Sequence, residues 1–107
     1  MLKNEGMIIY NVTVNINEEV HEEWVAWMRD VHIPDVMATG FFVEHRFAKV
    51  LLTQDEGGVT YSIQYLCKSM ADLQIYQGSH APRLQADVQA KFEGKFVAFR
   101  TVLEIVD

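Results

Sequence analysis

The feature that most constrains this chain is a change of hydrophobic period, from two to about 3.6 and back, made twice along its 107 residues. Met7 to Ile16 alternates strictly. Ile8, Tyr10, Val12, Val14 and Ile16 share one face, while Ile9, Asn11, Thr13 and Asn15 share the other, so a strand is expected. Asn17 then offers an N-cap, followed by Glu18 and Glu19 where a helix dipole favours acids. From there Val20, Trp24, Trp27, Met28 and Val31 fall on one helical arc. Pro34 disfavours a helical Ile33, so the helix should end or kink there, with one more turn over Asp35 to Ala38 capped by Gly40.

Phe41 to Leu52 reads as a second strand, Asp55 to Gly58 as a turn, and Val59 to Cys67 as a third strand with Val59, Tyr61, Ile63, Tyr65 and Cys67 on one face. Ser69 caps a second helix with Asp72 three residues on. Gly78 should interrupt it, Ser79 should cap a continuation that tolerates Pro82 in its first turn, and Leu84, Val88 and Phe92 form its apolar stripe. Phe96 to Val106 is the fourth strand. Its greasier side, Val97, Phe99, Thr101, Leu103 and Ile105, is expected to face the helices. The fold class is therefore α+β, a ferredoxin-like βαββαβ unit with a four-stranded antiparallel sheet covered on one face by two helices.

The length fits one domain, expected over residues 7–107 behind a disordered extension of residues 1–6. A net charge of −6 with scattered basic residues argues against nucleic acid, and no apolar run spans a bilayer. Cys67 is alone, which excludes an internal disulfide and fits a reduced, cytoplasmic protein. The sheet face turned from the helices would collect Ile9, Asn11, Thr13, Thr60, Ser62, Gln64, Ala98, Arg100, Val102 and Glu104, with Glu44, Arg46 and Ala48 from the second strand. That mixture of apolar and pairable side chains suits the contact surface of a homodimer.

The element order, together with Tyr65–Ser69 and the Gly78-Ser79-His80 step, resembles the dimeric α/β-barrel superfamily. Its members include cofactor-independent antibiotic-biosynthesis monooxygenases and haem-degrading monooxygenases. Cys67 stands where the monooxygenases carry a tryptophan. More closely, the phrases Met7–Val12, Trp24-x-x-Trp27-Met28, His32-Ile-Pro34, His80–Leu84 and Phe96–Thr101 resemble a family of bacterial proteins of about this length and unknown activity. The resemblance implies the fold and a homodimer, without an activity.

The resemblance to that superfamily implies a ligand cleft between sheet and helices. Here it would be bounded by Tyr10, Tyr61 and Tyr65 from the sheet, Trp24, Trp27, Met28 and His32 from the first helix, and Tyr76 and His80 from the second. That lining suits a small apolar or aromatic ligand; the same residues would serve equally as core filling. His32 and His80 are the acid–base candidates, because imidazole titrates near neutral pH and both sit at helix breaks. Haem-degrading relatives use a first-strand asparagine, but Asn11 alternates away from Tyr10. No cofactor is expected. His32 and Asp35 lack the companions that a metal site needs, so no metal is expected either. The functional readings are a ligand-binding homodimer, a cofactor-independent monooxygenase- or isomerase-like enzyme using His32 or His80, and an interaction module with a filled core.

Overall fold

The computed structural model describes residues 5–53 and 57–107. The alternating segments become strands β1 (Ile8–Ile16), β2 (Phe42–Lys49), β3 (Val59–Cys67) and β4 (Phe96–Glu104). They form one antiparallel sheet in the order β2-β3-β1-β4. Between β1 and β2 the chain makes a short 3₁₀ turn (Glu18–Val20) and helices α1 (His21–Trp27) and α2 (Ile33–Ala38). Between β3 and β4 it makes α3 (Met70–Ser79) and α4 (Ala81–Phe92). This is the ferredoxin-like βαββαβ fold, with both helical runs on one face. No helix among the described residues is long and apolar enough to cross a membrane.

The core lies between sheet and helices. Ile8, Tyr10, Val14 and Ile16 of β1 and Ile63, Tyr65 and Cys67 of β3 are buried, as their alternation requires. Trp24, Leu73 and Leu84 meet them from the helices, each at most 1% exposed. Two exposed ion pairs accompany this packing, Lys91–Glu23 (3.6 Å) between α4 and α1, and Lys95–Glu19 (2.8 Å) ahead of β4. Exposed pairs of this kind contribute little to stability.

Four local expectations are corrected. Pro34 does not end the helix: Ile33 is helical, at φ −62° and ψ −44°. Its N–H donates to the Met28 carbonyl five residues back, closing a π-helical turn over Met28–His32. Proline's missing N–H thus falls where the α-helical ladder is already interrupted. Asn17 makes no side-chain cap, and the 3₁₀ turn opens the helical run instead. The second helical break falls at His80, not Gly78; α3 runs through Gly78 to Ser79, while Ser69 does cap it by accepting from the Asp72 N–H at 3.1 Å. Finally, Ile105 and Val106 lie beyond β4, and Val50 to Leu52 lie beyond β2.

The largest correction concerns β4. Val12 pairs with Arg100, Val14 with Ala98 and Ile16 with Phe96. Directly paired residues share a face of the sheet. Phe96, Ala98, Arg100 and Val102 therefore face the helices, and the greasier residues Val97, Phe99 and Leu103 face away, 70%, 62% and 44% exposed. The other face also carries a polar network. Ser62 donates to Asn11 Oδ1 (2.6 Å), and Asn11 Nδ2 donates to Thr13 (3.0 Å).

Residues 1–4 and 54–56 lie outside the described residues, so the expected extension and the Asp55–Gly58 turn are seen only at their inner ends. Gly6 N–H donates to the Ile105 carbonyl at 2.8 Å. Gly58 has φ +68°, and a Cβ there would collide with the Asn15 side chain and the Ile16 carbonyl, so glycine is required on both counts.

Candidate functional site

The helix-facing floor of the sheet is built from short side chains where β1 meets β4. Val12, Val14 and Ala98 leave room beneath the helices, and a cleft of about 480 Å³ opens there. Trp24, Met28 and His32 line it from the α1–α2 run, Tyr10 and Tyr65 from the sheet, and Tyr76 from α3. Gln85 and Gln89 of α4 and Arg100 of β4 supply exposed polar groups.

The π-turn sets the helical side of this lining. Inserting one residue advances the helix face, so burial steps four residues from Trp24 to Met28, then five to Ile33, then three to Val36. Val31, expected on the apolar arc, is turned out and 42% exposed. His32, the last residue of the turn, borders the cleft with its ring stacked on Trp27, centroids 5.3 Å apart. Burial holds the His32 imidazole below its usual range. The charges of Asp35 and Asp87 oppose that shift, and Arg100 adds to it. His32 is accordingly neutral at pH 7, with one nitrogen a donor and the other an acceptor.

Tyr10 anchors an aromatic cluster. Its ring lies 6.3 Å from Tyr65 and 6.1 Å from Tyr76, and Phe42 packs against both. Burial raises the phenol pKa of Tyr65 and of Tyr76 beyond any physiological range, so both present neutral hydroxyls. The Arg100 guanidinium donates from Nε to the Tyr10 hydroxyl at 3.1 Å. Trp24 is fully buried against Phe47 and Tyr61, and its indole N–H has no acceptor among the described residues.

Six of the expected site residues thus come together: Tyr10, Trp24, Met28, His32, Tyr65 and Tyr76. Three lie outside the lining. Trp27 is half-buried between His32 and Phe92. Tyr61 bonds His21 at 2.7 Å, which makes His21 a half-buried partner rather than an exposed side chain. His80 joins α3 to α4, with its ring against Phe41 and Tyr76 and its backbone N–H on the Tyr76 carbonyl. Among the described residues no group of three His, Cys, Asp or Glu is placed to hold a metal ion.

Ala98 and Arg100 line the cleft although the hydrophobic pattern of β4 alone assigns both to the opposite face. The available signal was parity: once Phe96 is set opposite Ile16 at the sheet end, Arg100 must point inward.

Solved structures share this fold across nearly their whole length. An EthD-like protein from Ralstonia eutropha superposes with a TM-score of 0.70 at 15% identity, covering 96% of this chain and 95% of its own. A putative antibiotic biosynthesis monooxygenase from Bacillus cereus gives 0.64 at 11% identity, covering 95% of each chain. SnoaB, a cofactor-independent oxygenase from Streptomyces nogalater, gives 0.64 at 9% identity, again covering 95% of each. At such identities the likeness is one of fold. No curated protein sequence matches the chain. Residues 7–106, which hold all four strands and the whole cleft lining, match the profile of DUF4286, a domain of unknown function, and the chain belongs to that family.

Proposed function

We propose that the protein is a homodimer that binds a small apolar or aromatic molecule in the cleft between sheet and helices. The observation that carries this reading is the open space of about 480 Å³ beside Trp24, Met28 and the tyrosine cluster. Its size and its lining, apolar with a few polar groups, are those of small-molecule sites. The ligand's flat body packs against Tyr10, Tyr65 and Met28. Dimerisation is supported by the outer sheet face, where Val97, Phe99 and Leu103 are exposed on an edge strand that a lone chain leaves uncovered. The free, buried Cys67 fits a reduced, cytoplasmic setting.

Isothermal titration with naphthol tests the cleft. Saturable binding is expected, and it should be weakened by Ala98→Leu, which fills the floor. Heats that never saturate, or that Ala98→Leu leaves unchanged, would refute the site. Sedimentation tests the dimer: a stable species of the 12.3 kDa chain mass at micromolar concentration would refute it.

A second reading, a cofactor-independent enzyme of the monooxygenase or isomerase type, is favoured by one observation. His32, neutral and inside the cleft, is the group such chemistry needs as its acid–base. The fold shared with SnoaB is compatible with it. His80 reaches the cleft only through Tyr76, whose ring lies 6.3 Å away. In this reading His32→Gln abolishes turnover while leaving the melt unchanged.

A further inference from the structure

We propose that the cleft's ligand is an organic acid, its aromatic or apolar body in the cleft and its carboxylate held in a two-point contact by the Arg100 guanidinium. The inference rests on the small-molecule reading and names the chemical class of that ligand.

Arg100 is an exposed charge on the edge strand that borders the cleft among apolar neighbours. Its neighbours on the same side of β4 are Ala98 and Val102, and its partner across β1 is Val12. Its Nε–H is committed to the Tyr10 hydroxyl at 3.1 Å, and Tyr10 is itself fixed among Phe42, Tyr65 and Tyr76. That bond sets the plane of the guanidinium. Among the described residues no carboxylate pairs with it, which leaves its terminal amino groups for a partner. A guanidinium fork matches a carboxylate in two parallel hydrogen bonds, a geometry that lysine does not offer.

The charge balance of the cleft points the same way. The chain carries 15 acidic and 9 basic residues, yet the lining holds Arg100 and no Asp or Glu. Asp35 and Asp87 act on His32 from outside that lining. Tyr65 and Tyr76 remain neutral phenols, so neither competes for Arg100 as an anion.

The test is calorimetric titration of the full chain with naphthoate and with naphthamide, its neutral isostere. Naphthoate is expected to bind the wild type at least about tenfold more tightly, the scale of a charge-assisted bond. Arg100→Gln should remove that preference while leaving naphthamide affinity unchanged. Arg100→Lys should restore only part of it, and added salt should weaken naphthoate alone. Tyr10→Phe, which removes the orienting bond but keeps the charge, should reduce the preference without abolishing it. Equal affinity for acid and amide in the wild type, or a preference that survives Arg100→Gln, overturns the inference and leaves the ligand site standing. Failure of both probes to bind overturns the inference together with the reading beneath it.

Discussion

Trp24 carries both a large packing contribution and an unmet polar cost, so two substitutions at this position should differ sharply. The ring is fully buried, with Tyr61 at 5.2 Å and Phe47 at 5.6 Å between centroids. Trp24→Ala deletes the whole ring and should cost about 3–5 kcal/mol, the range for large aromatic truncations in a core. At roughly 4 °C per kcal/mol for a domain of this size, Tm falls by about 12–20 °C. Trp24→Phe instead removes about 40 Å³, worth about 1 kcal/mol of cavity cost. It also deletes the indole N–H that has no acceptor, recovering about 1–3 kcal/mol. The phenylalanine variant should therefore melt between the wild-type temperature and about 8 °C above it. Far-UV circular dichroism melts of the three proteins decide the matter. A phenylalanine variant as unstable as the alanine variant would refute the orphaned donor. An alanine variant that melts like the wild type would refute the ring's place in the core.

His32 makes stability depend on pH. Its folded pKa lies below the unperturbed 6.5, so the unfolded chain binds its proton first as pH falls. The stability it confers is fully present above pH 6.5 and is lost as pH falls toward the folded value; denaturant midpoints between pH 8 and pH 5 should drop more steeply in the wild type than in His32→Gln. At Gly58, alanine must take a positive φ and drive its Cβ into Asn15 and the Ile16 carbonyl, so Gly58→Ala should cost more than about 1 kcal/mol in urea unfolding. Gly40→Ala, at φ +83° but with open space around it, should cost less, which separates the collision from the backbone strain.

The fold was legible because each element announced its own period. The β1 and β3 alternations show in the burial of Tyr10, Val14, Ile63 and Tyr65, although Thr60 and Leu66 on the other face of β3 are buried as well. The Ser69 cap was readable from one side chain and its spacing to Asp72. The π-turn was not expected, and its mark is in the burial pattern. Val31 on the predicted arc is exposed while Ile33 is buried, and that five-residue step from Met28 is the mark of one inserted residue. The proline rule, which expects an end or a kink, pointed to the right place; the irregularity there is a π-turn with Ile33 still helical, and the helical run continues past Pro34. Trp27, Tyr61 and His80 were grouped with the cleft because helical and strand periodicity places residues on a face, and a face is wider than a cleft. Which part of it stays open depends on the small side chains opposite, here Val12, Val14 and Ala98.

β4 resisted for a different physical reason. Alternation identifies the buried side of a strand only when the other side is polar, and β4 is apolar on both. Phe96, Ala98 and Val102 face the helices while Val97, Phe99 and Leu103 face away. Choosing the greasier side as the core side inverts the strand and sends Arg100 out of the cleft. Cross-strand parity at the Ile16–Phe96 pair settles the register where hydrophobicity does not. A strand apolar on both sides is what a sheet covered on both faces requires, and in the single chain only one face is covered. The ambiguity that hid Arg100 from the sequence is therefore the same observation that argues for a second copy on the outer face, and the two depend on one register. Exchanging the parity of β4 would bury the outer apolar residues, remove the motive for a dimer and empty the cleft of its only positive charge among the described lining residues.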